Sequence, residues 1–127
     1  MAEFAAGIII KDKKILLLKR AQNETAEPNK WNPPNETIED GENPEEAVVR
    51  GVKEETNLDF SITKLLLEHF YDDKKTNVYL GNASGDLAVD EEESSDSGWF
   101  SYEEAVKLEY AFGYNELIEK LHELDLI

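Results

Sequence analysis

The sequence predicts a single α/β domain. Three observations carry that prediction. The chain has 127 residues, which suits one domain and hardly two. Two strand-sized apolar runs, residues 7–10 and 15–18, flank the polar turn Lys11-Asp12-Lys13. Residues 44–56 carry helix signals at both ends, and strand-like segments follow them.

In chain order, residues 3–10 read as a buried strand and residues 14–19 as its hairpin partner. Residues 21–30 are polar, hold Pro28 and read as a loop. Residues 31–34 must be extended, because Pro33 and Pro34 forbid a helix interior. Residues 37–40 read as a short strand and Gly41 as a turn. The helix over 44–56 has Asn43 as N-cap, Pro44 at its first position and Glu46 completing a capping box. Ala47, Val48 and Val52 form its apolar stripe, and Asn57 suits the left-handed position after its last turn.

Strands are expected over 61–71 and 76–83, joined at 72–75. Residues 86–98 are polar and acidic, hence an exposed loop or an edge. Trp99 and Phe100 then re-enter the core. Ser101 caps a helix with Glu104 as its capping-box partner and Ala105, Val106 and Leu108 as apolar positions. A last helix covers 114–124, with Leu117, Ile118, Leu121 and Leu124 at helical spacing.

Charge narrows the function classes. Thirteen basic residues against 29 acidic ones give a net −16. Phosphate contacts with a polymer need clustered Lys and Arg, so unaided binding to DNA, RNA or an acidic membrane is disfavoured. The balance suits a protein that recruits divalent cations. A halophilic surface is the plain alternative, and eleven Lys speak against it. With no Cys, a thiol nucleophile, a disulfide framework and a thiolate metal site are excluded. Cytoplasmic residence is the simplest fit. The first residues lack the basic and apolar regions of a signal peptide, and no apolar run nears membrane-helix length.

The chemistry lies in residues 31–58, WNPPNETIEDGENPEEAVVRGVKEETNL. A turn presents Glu42, and the helix presents Arg50, Glu54 and Glu55. Arg50 and Glu54 are four apart and share a face, with Glu55 about 100° further round. Carboxylates so arranged suit a hard cation such as Mg²⁺ or Mn²⁺, which bridges protein oxygens to phosphate oxygens. Taken singly, Glu54 and Glu55 would be a solvated helix end and Arg50 a surface ion-pair former.

This segment resembles the Nudix box, G-x5-E-x7-R-E-U-x-E-E-x-G-U with U aliphatic. Glu42, Arg50, Val52, Glu54, Glu55 and Leu58 match it, six of nine fixed positions. Three positions depart: Glu36 stands for the first Gly, Gly51 for the Glu after the Arg, and Asn57 for the last Gly. The flanking LLLKR strand end, the acidic loop, the WF pair and the FSYEEA helix start are also similar to family members. The Trp31-Asn32-Pro33-Pro34 run is similar to the diadenosine tetraphosphatase branch.

The resemblance implies a Nudix fold, an α/β/α sandwich around a mixed β-sheet, in one domain over residues 1–127. It implies hydrolysis of a phosphoanhydride in a nucleoside diphosphate-linked substrate, with Mg²⁺ or Mn²⁺ as cofactor. Glu54, Glu55, the Asn35 carbonyl and Glu42 are the implied metal ligands. Glu55, Glu93 and Arg50 are the implied catalytic residues, with Arg50 orienting carboxylates and Glu93 a candidate base. Tyr79 and Trp31 are candidates for stacking on a base, and Arg20 or Lys19 for touching phosphate.

Each also has a structural reading: Tyr79 as a sheet residue, Trp31 as an anchor, Arg20 as a solvated strand end, Glu93 as part of a solvated loop. His69 and His122 show no ligand spacing and read as structural. A small-molecule nucleotide is the expected partner, and a homodimer is compatible with the family. A Nudix-fold nucleotide-binding domain with weak or no catalysis is the alternative, because Gly51 lacks a carboxylate. A glutamate at 51 is expected to restore a ligand. Glu36, if it kept the backbone of the glycine it replaces, would cost about 1 kcal/mol, unless the turn is reshaped.

Overall fold

The structure, a computed structural model, describes residues 2–127. Its elements are β1 (Ala2–Lys11), β2 (Lys14–Arg20), β3 (Trp31–Asn32), β4 (Asn35–Thr37), α1 (Pro44–Thr56), β5 (Asp59–Tyr71), β6 (Lys74–Ser84), β7 (Ser94–Phe100), α2 (Tyr102–Ala105) and α3 (Asn115–Glu123). The chain divides into two compact units: residues 2–9 with 33–90, and residues 10–32 with 91–127. Among the described residues, no helix is long and apolar enough to cross a membrane.

The first unit holds a mixed sheet. β1 pairs in parallel with β6 and antiparallel with β4, and β5 runs antiparallel to β6. Helix α1 lies close over β1. A Cβ on Gly7 would stand 2.8 Å from Val52 Cγ2 and 3.4 Å from Val48 Cγ2, so the missing side chain admits the helix. Ala47, Val48 and Val52 are at most 1% exposed. Burying each valine contributes roughly 1.5–3 kcal/mol. That outweighs the ~1 kcal/mol by which a glycine, here Gly51, disfavours a helix interior.

Both ends of α1 are secured as their residue types foretell. Glu46 N–H donates to Asn43 Oδ1 at 2.8 Å, and Asn43 N–H donates to Glu46 Oε1 at 3.1 Å. Asn57 takes the left-handed conformation at φ 67°. The acidic stretch after β6 closes the C-terminal end: Ala88 N–H donates to Thr56 O at 2.9 Å and Asp90 N–H to Glu55 O at 3.0 Å. These bonds satisfy two carbonyls that the helix leaves without partners of its own.

In the second unit β2 is central. It pairs antiparallel with the end of β1, with β3 and with β7. Ile15, Leu16, Leu17 and Leu18 are at most 1% exposed. Asp12 and Lys13 both take positive φ, 52° and 59°, as a two-residue turn matched to strand twist requires. Leu117, Ile118 and Leu121 are the buried stripe of α3.

Several expectations need correction. The short strand is β4, Asn35–Thr37, two residues earlier than expected over 37–40, because it pairs with Ala6, Ala5 and Phe4. Glu36 therefore sits in extended backbone, and the left-handed strain foreseen for it does not arise. The acidic stretch, expected as a loop or an edge, is the first up to residue 93 and the second from Ser94, where β7 begins and pairs with β2. α2 is a single turn, and Val106 is 45% exposed just after it. Leu124, expected on the apolar face of the last helix, is likewise 45% exposed.

Candidate functional site

Within the first unit, β4, the turn after it and the exposed face of α1 bring Glu36, Thr37, Glu39, Glu42 and Glu54 together around the Arg50 guanidinium. Arg50 Nε donates to Glu42 Oε2 at 2.8 Å and its Nη2 to Glu42 Oε1 at 3.0 Å, a two-pronged pairing. The same Nη2 reaches Thr37 O at 2.9 Å. Nη1 lies 3.2 Å from Glu54 Oε2, 3.6 Å from Glu39 Oε1 and 4.0 Å from Glu36 Oε2. One cation thus ties the helix to the turn and the strand and faces four carboxylates.

The electrostatics follow from those contacts. The Arg50 hydrogen bonds, with one from the Glu39 N–H, hold the Glu42 carboxyl down to about 2. Glu42 in turn pushes the Arg50 guanidinium above its ordinary value. Glu36 goes the other way. Burial raises its carboxyl above the usual range, against the Thr37 N–H and Arg50, which pull it down. Glu54 and Glu39 add repulsion in the same upward direction.

The strand register fixes the carbonyls. Gly7 N–H donates to Pro34 O, and Ile38 N–H to Glu3 O, so these positions face β1. Antiparallel pairing alternates, so Asn35 and Thr37 turn their carbonyls to the opposite edge. Arg50 already uses the Thr37 carbonyl there. The Asn35 carbonyl shares that edge, while its side chain donates to Pro33 O at 3.2 Å.

Glu54 is exposed at the end of α1, and Glu55 beside it is half-buried with Oε2 shielded from solvent. The donors here are all oxygens, which suits Mg²⁺ or Mn²⁺ better than softer metals. Among the described residues, no three Asp, Glu, His or Cys side chains form a ready-made cage. Mg²⁺ does not need one, since it keeps waters and commonly uses one or two carboxylates with substrate phosphate. The residues present therefore fit such an ion.

Three candidate residues have partners of their own. Glu42, a candidate ligand, has one oxygen on Arg50 and the other on Arg50 and the Glu39 N–H, so both its oxygens hold the arginine. Tyr79, a candidate for stacking on a base or else a sheet residue, is 3% exposed in β6. Burial, with the charge and hydrogen bond of Glu45, raises its hydroxyl to about 12.

Arg20, a candidate for touching phosphate or else a solvated strand end, lies in the second unit. It donates to Ala26 O at 2.9 Å, reaches Glu24 at 3.4 Å and covers the Phe112 ring at 5.0 Å. Its guanidinium closes the loop after β2. Trp31, in the same unit, packs edge-on against Phe100 at 5.1 Å. The Glu93 carbonyl there accepts from the Ala21 N–H. His122 stacks on Tyr102 at 3.6 Å, and its Nδ1 lies 3.0 Å from Ile127 O.

One feature had only half its signal in the sequence. A Cβ on Gly51 would stand 2.6 Å from Glu36 Cβ and 3.3 Å from Glu36 Cγ. Two of the three departures from the box therefore touch each other.

Comparison with known proteins agrees with the motif. A family model described as NUDIX domain matches residues 1–121. A search of curated proteins finds no match. Among solved structures, a MutT NUDIX hydrolase from Burkholderia pseudomallei is 26% identical, with TM-score 0.72 over 81% of this chain and 84% of that one. A structure from a study of MutT of Aliivibrio salmonicida and Vibrio cholerae is 19% identical, with TM-score 0.83 over 97% and 98%. A NUDIX hydrolase from Nitrosomonas europaea is 21% identical, with TM-score 0.83 over 98% and 89%. These likenesses bear out the fold class implied by the motif.

Proposed function

This chain belongs to the Nudix family, and from that premise we propose that it is a Mg²⁺- or Mn²⁺-dependent hydrolase. Its substrate is a nucleoside diphosphate linked to a further group, such as a nucleoside triphosphate or a dinucleoside polyphosphate. Residues 1–127 act in this reading as a single Nudix domain. The observation that supports it most is the Arg50 clamp. Glu42 engages the guanidinium from the turn, Thr37 from the strand and Glu54 from its own helix, so the carboxylate-bearing end of α1 is held against β4.

In this reading Glu54 and Glu55 hold the divalent ion, with the Asn35 carbonyl as a further oxygen. When bound, such an ion supplies charge neutralisation at phosphate oxygens and an acidified water. Arg50 limits the repulsion among Glu36, Glu39, Glu42 and Glu54 and orients Glu54 on the shared helix face. Glu42 keeps Arg50 in place, and because its carboxyl titrates near 2 it stays ionised throughout the neutral range. The reaction breaks one phosphoanhydride P–O bond and adds water across it.

A screen of nucleoside triphosphates, dinucleoside polyphosphates, ADP-ribose and nucleotide sugars in Mg²⁺ or Mn²⁺ tests the proposal. The expected result is release of a nucleoside phosphate from at least one class, reduced by orders of magnitude in Glu55→Gln. A second reading, a nucleotide-binding domain without turnover, is favoured by the missing carboxylate at Gly51. Saturable nucleotide binding with no hydrolysis across the panel would establish that reading and refute the enzyme.

A further inference from the structure

Resting on that reading, we propose that Glu36 and Gly51 are a reciprocal pair, in which the site's third carboxylate comes from β4 rather than from the helix. The box places a Gly at position 36 and a Glu at position 51; this chain has a Glu at 36 and a Gly at 51. The two substitutions occupy one space. A side chain at 51 would begin 2.6 Å from Glu36 Cβ, closer than real Cβ contacts come. That neighbouring atom is the root of a side chain on a paired strand, so it cannot swing aside as a side-chain tip does. The strand or the helix can fill the space, and here the strand does.

The head of Glu36 stays at the site. Its Oε1 accepts from the Thr37 N–H at 3.1 Å, and its Oε2 lies 4.0 Å from Arg50 Nη1. It lies within reach of the charge of Glu54, one of the two helix carboxylates assigned to the ion, whose repulsion acts on it. Position 51 lies one turn before Glu54 and Glu55 on the same face, so a carboxylate lying over it borders the same patch. Glu36 thus adds negative charge beside Glu54 where the helix has none to offer. This revises the expectation for Gly51→Glu: with Glu36 in place, the new side chain meets Glu36 Cβ before it reaches the patch.

The test is Mn²⁺ binding to the substrate-free protein, followed by electron paramagnetic resonance, with circular dichroism to confirm folding. Glu36→Gln keeps the shape and removes the charge, and is expected to weaken Mn²⁺ at least about tenfold. Glu36→Gly is expected to weaken it similarly. Adding Gly51→Glu to Glu36→Gly should bring affinity back to within about threefold of the starting protein. Gly51→Glu alone should not tighten binding.

Wild-type affinity in Glu36→Gln, or a double variant no tighter than Glu36→Gly, overturns the pairing while Glu55→Gln still weakens the ion. Should Glu36→Gly not fold, Glu36→Gln alone decides. If Glu55→Gln binds Mn²⁺ as the unchanged protein does, the parent site assignment falls, and this inference with it.

Discussion

The steric half of the Glu36–Gly51 pairing makes a prediction about stability alone. Consider Gly51→Ala. In an ordinary helix interior, replacing Gly by Ala stabilises by about 1 kcal/mol. Here the new Cβ would stand 2.6 Å from Glu36 Cβ, about 0.8 Å short of ordinary contact, which begins at 3.4 Å. Crowding a packed position in this way costs roughly 1–3 kcal/mol. Gly51→Ala should therefore be neutral to destabilising, by about 0–2 kcal/mol.

Glu36→Gly removes the atoms it strikes. In that background the same substitution should recover its helix benefit of about 1 kcal/mol. The sign of the effect reverses, and the coupling between the two positions is about 1–3 kcal/mol. Urea unfolding of the four proteins, followed by far-UV circular dichroism, measures it. Stabilisation by Gly51→Ala of the same size in both backgrounds would refute the reasoning, because the two positions would then not share space.

Further predictions concern the clamp, the cap and the buried charge. Glu42 titrates near 2 when folded and near 4.5 when unfolded, so its contribution to stability is complete above 4.5 and is lost as pH falls toward 2. Glu42→Gln should accordingly have a lower urea midpoint than the unchanged protein at pH 6, and the gap should close by about pH 2; a gap independent of pH would show that Arg50 does not hold this carboxylate. Asn43→Ala breaks the capping box and should cost about 1 kcal/mol in urea unfolding, against no loss if the side chain were idle. Burial raises the Glu36 carboxyl, so its ionised form opposes folding at neutral pH. Glu36→Gln should thus raise the thermal midpoint of the metal-free protein at pH 7, and an unchanged or lower midpoint would count against that burial.

Local chemistry made much of this legible from the residues. α1 begins and ends where Asn43, Pro44, Glu46 and Asn57 say it should, because caps act on immediate neighbours. The pairing of Arg50 with Glu42 was foreseeable from the motif, and the pairing with Thr37 O was not, since it depends on the register of β4. β4 itself was misplaced because Asn35 and Glu36 have little strand character; pairing with β1 makes them a strand with Thr37. Tyr79 and Arg20 looked available because a sequence shows residue types and not their neighbours. Glu45 and burial claim the first, and the loop carbonyl of Ala26, Glu24 and the Phe112 ring claim the second. Gly51 and Glu36 read as two separate losses, and only their contact turns them into one exchange.

A Mn²⁺-soaked crystal with a non-hydrolysable nucleotide, read by anomalous scattering, bears on the assignment of Glu54 and Glu55 without intermediaries. An anomalous peak within coordination distance of both carboxylates, with nucleotide phosphate on its far side, is the expected outcome. A fully occupied nucleotide whose phosphates lie elsewhere, with Glu54 and Glu55 turned to bulk water and no peak between them, would contradict it.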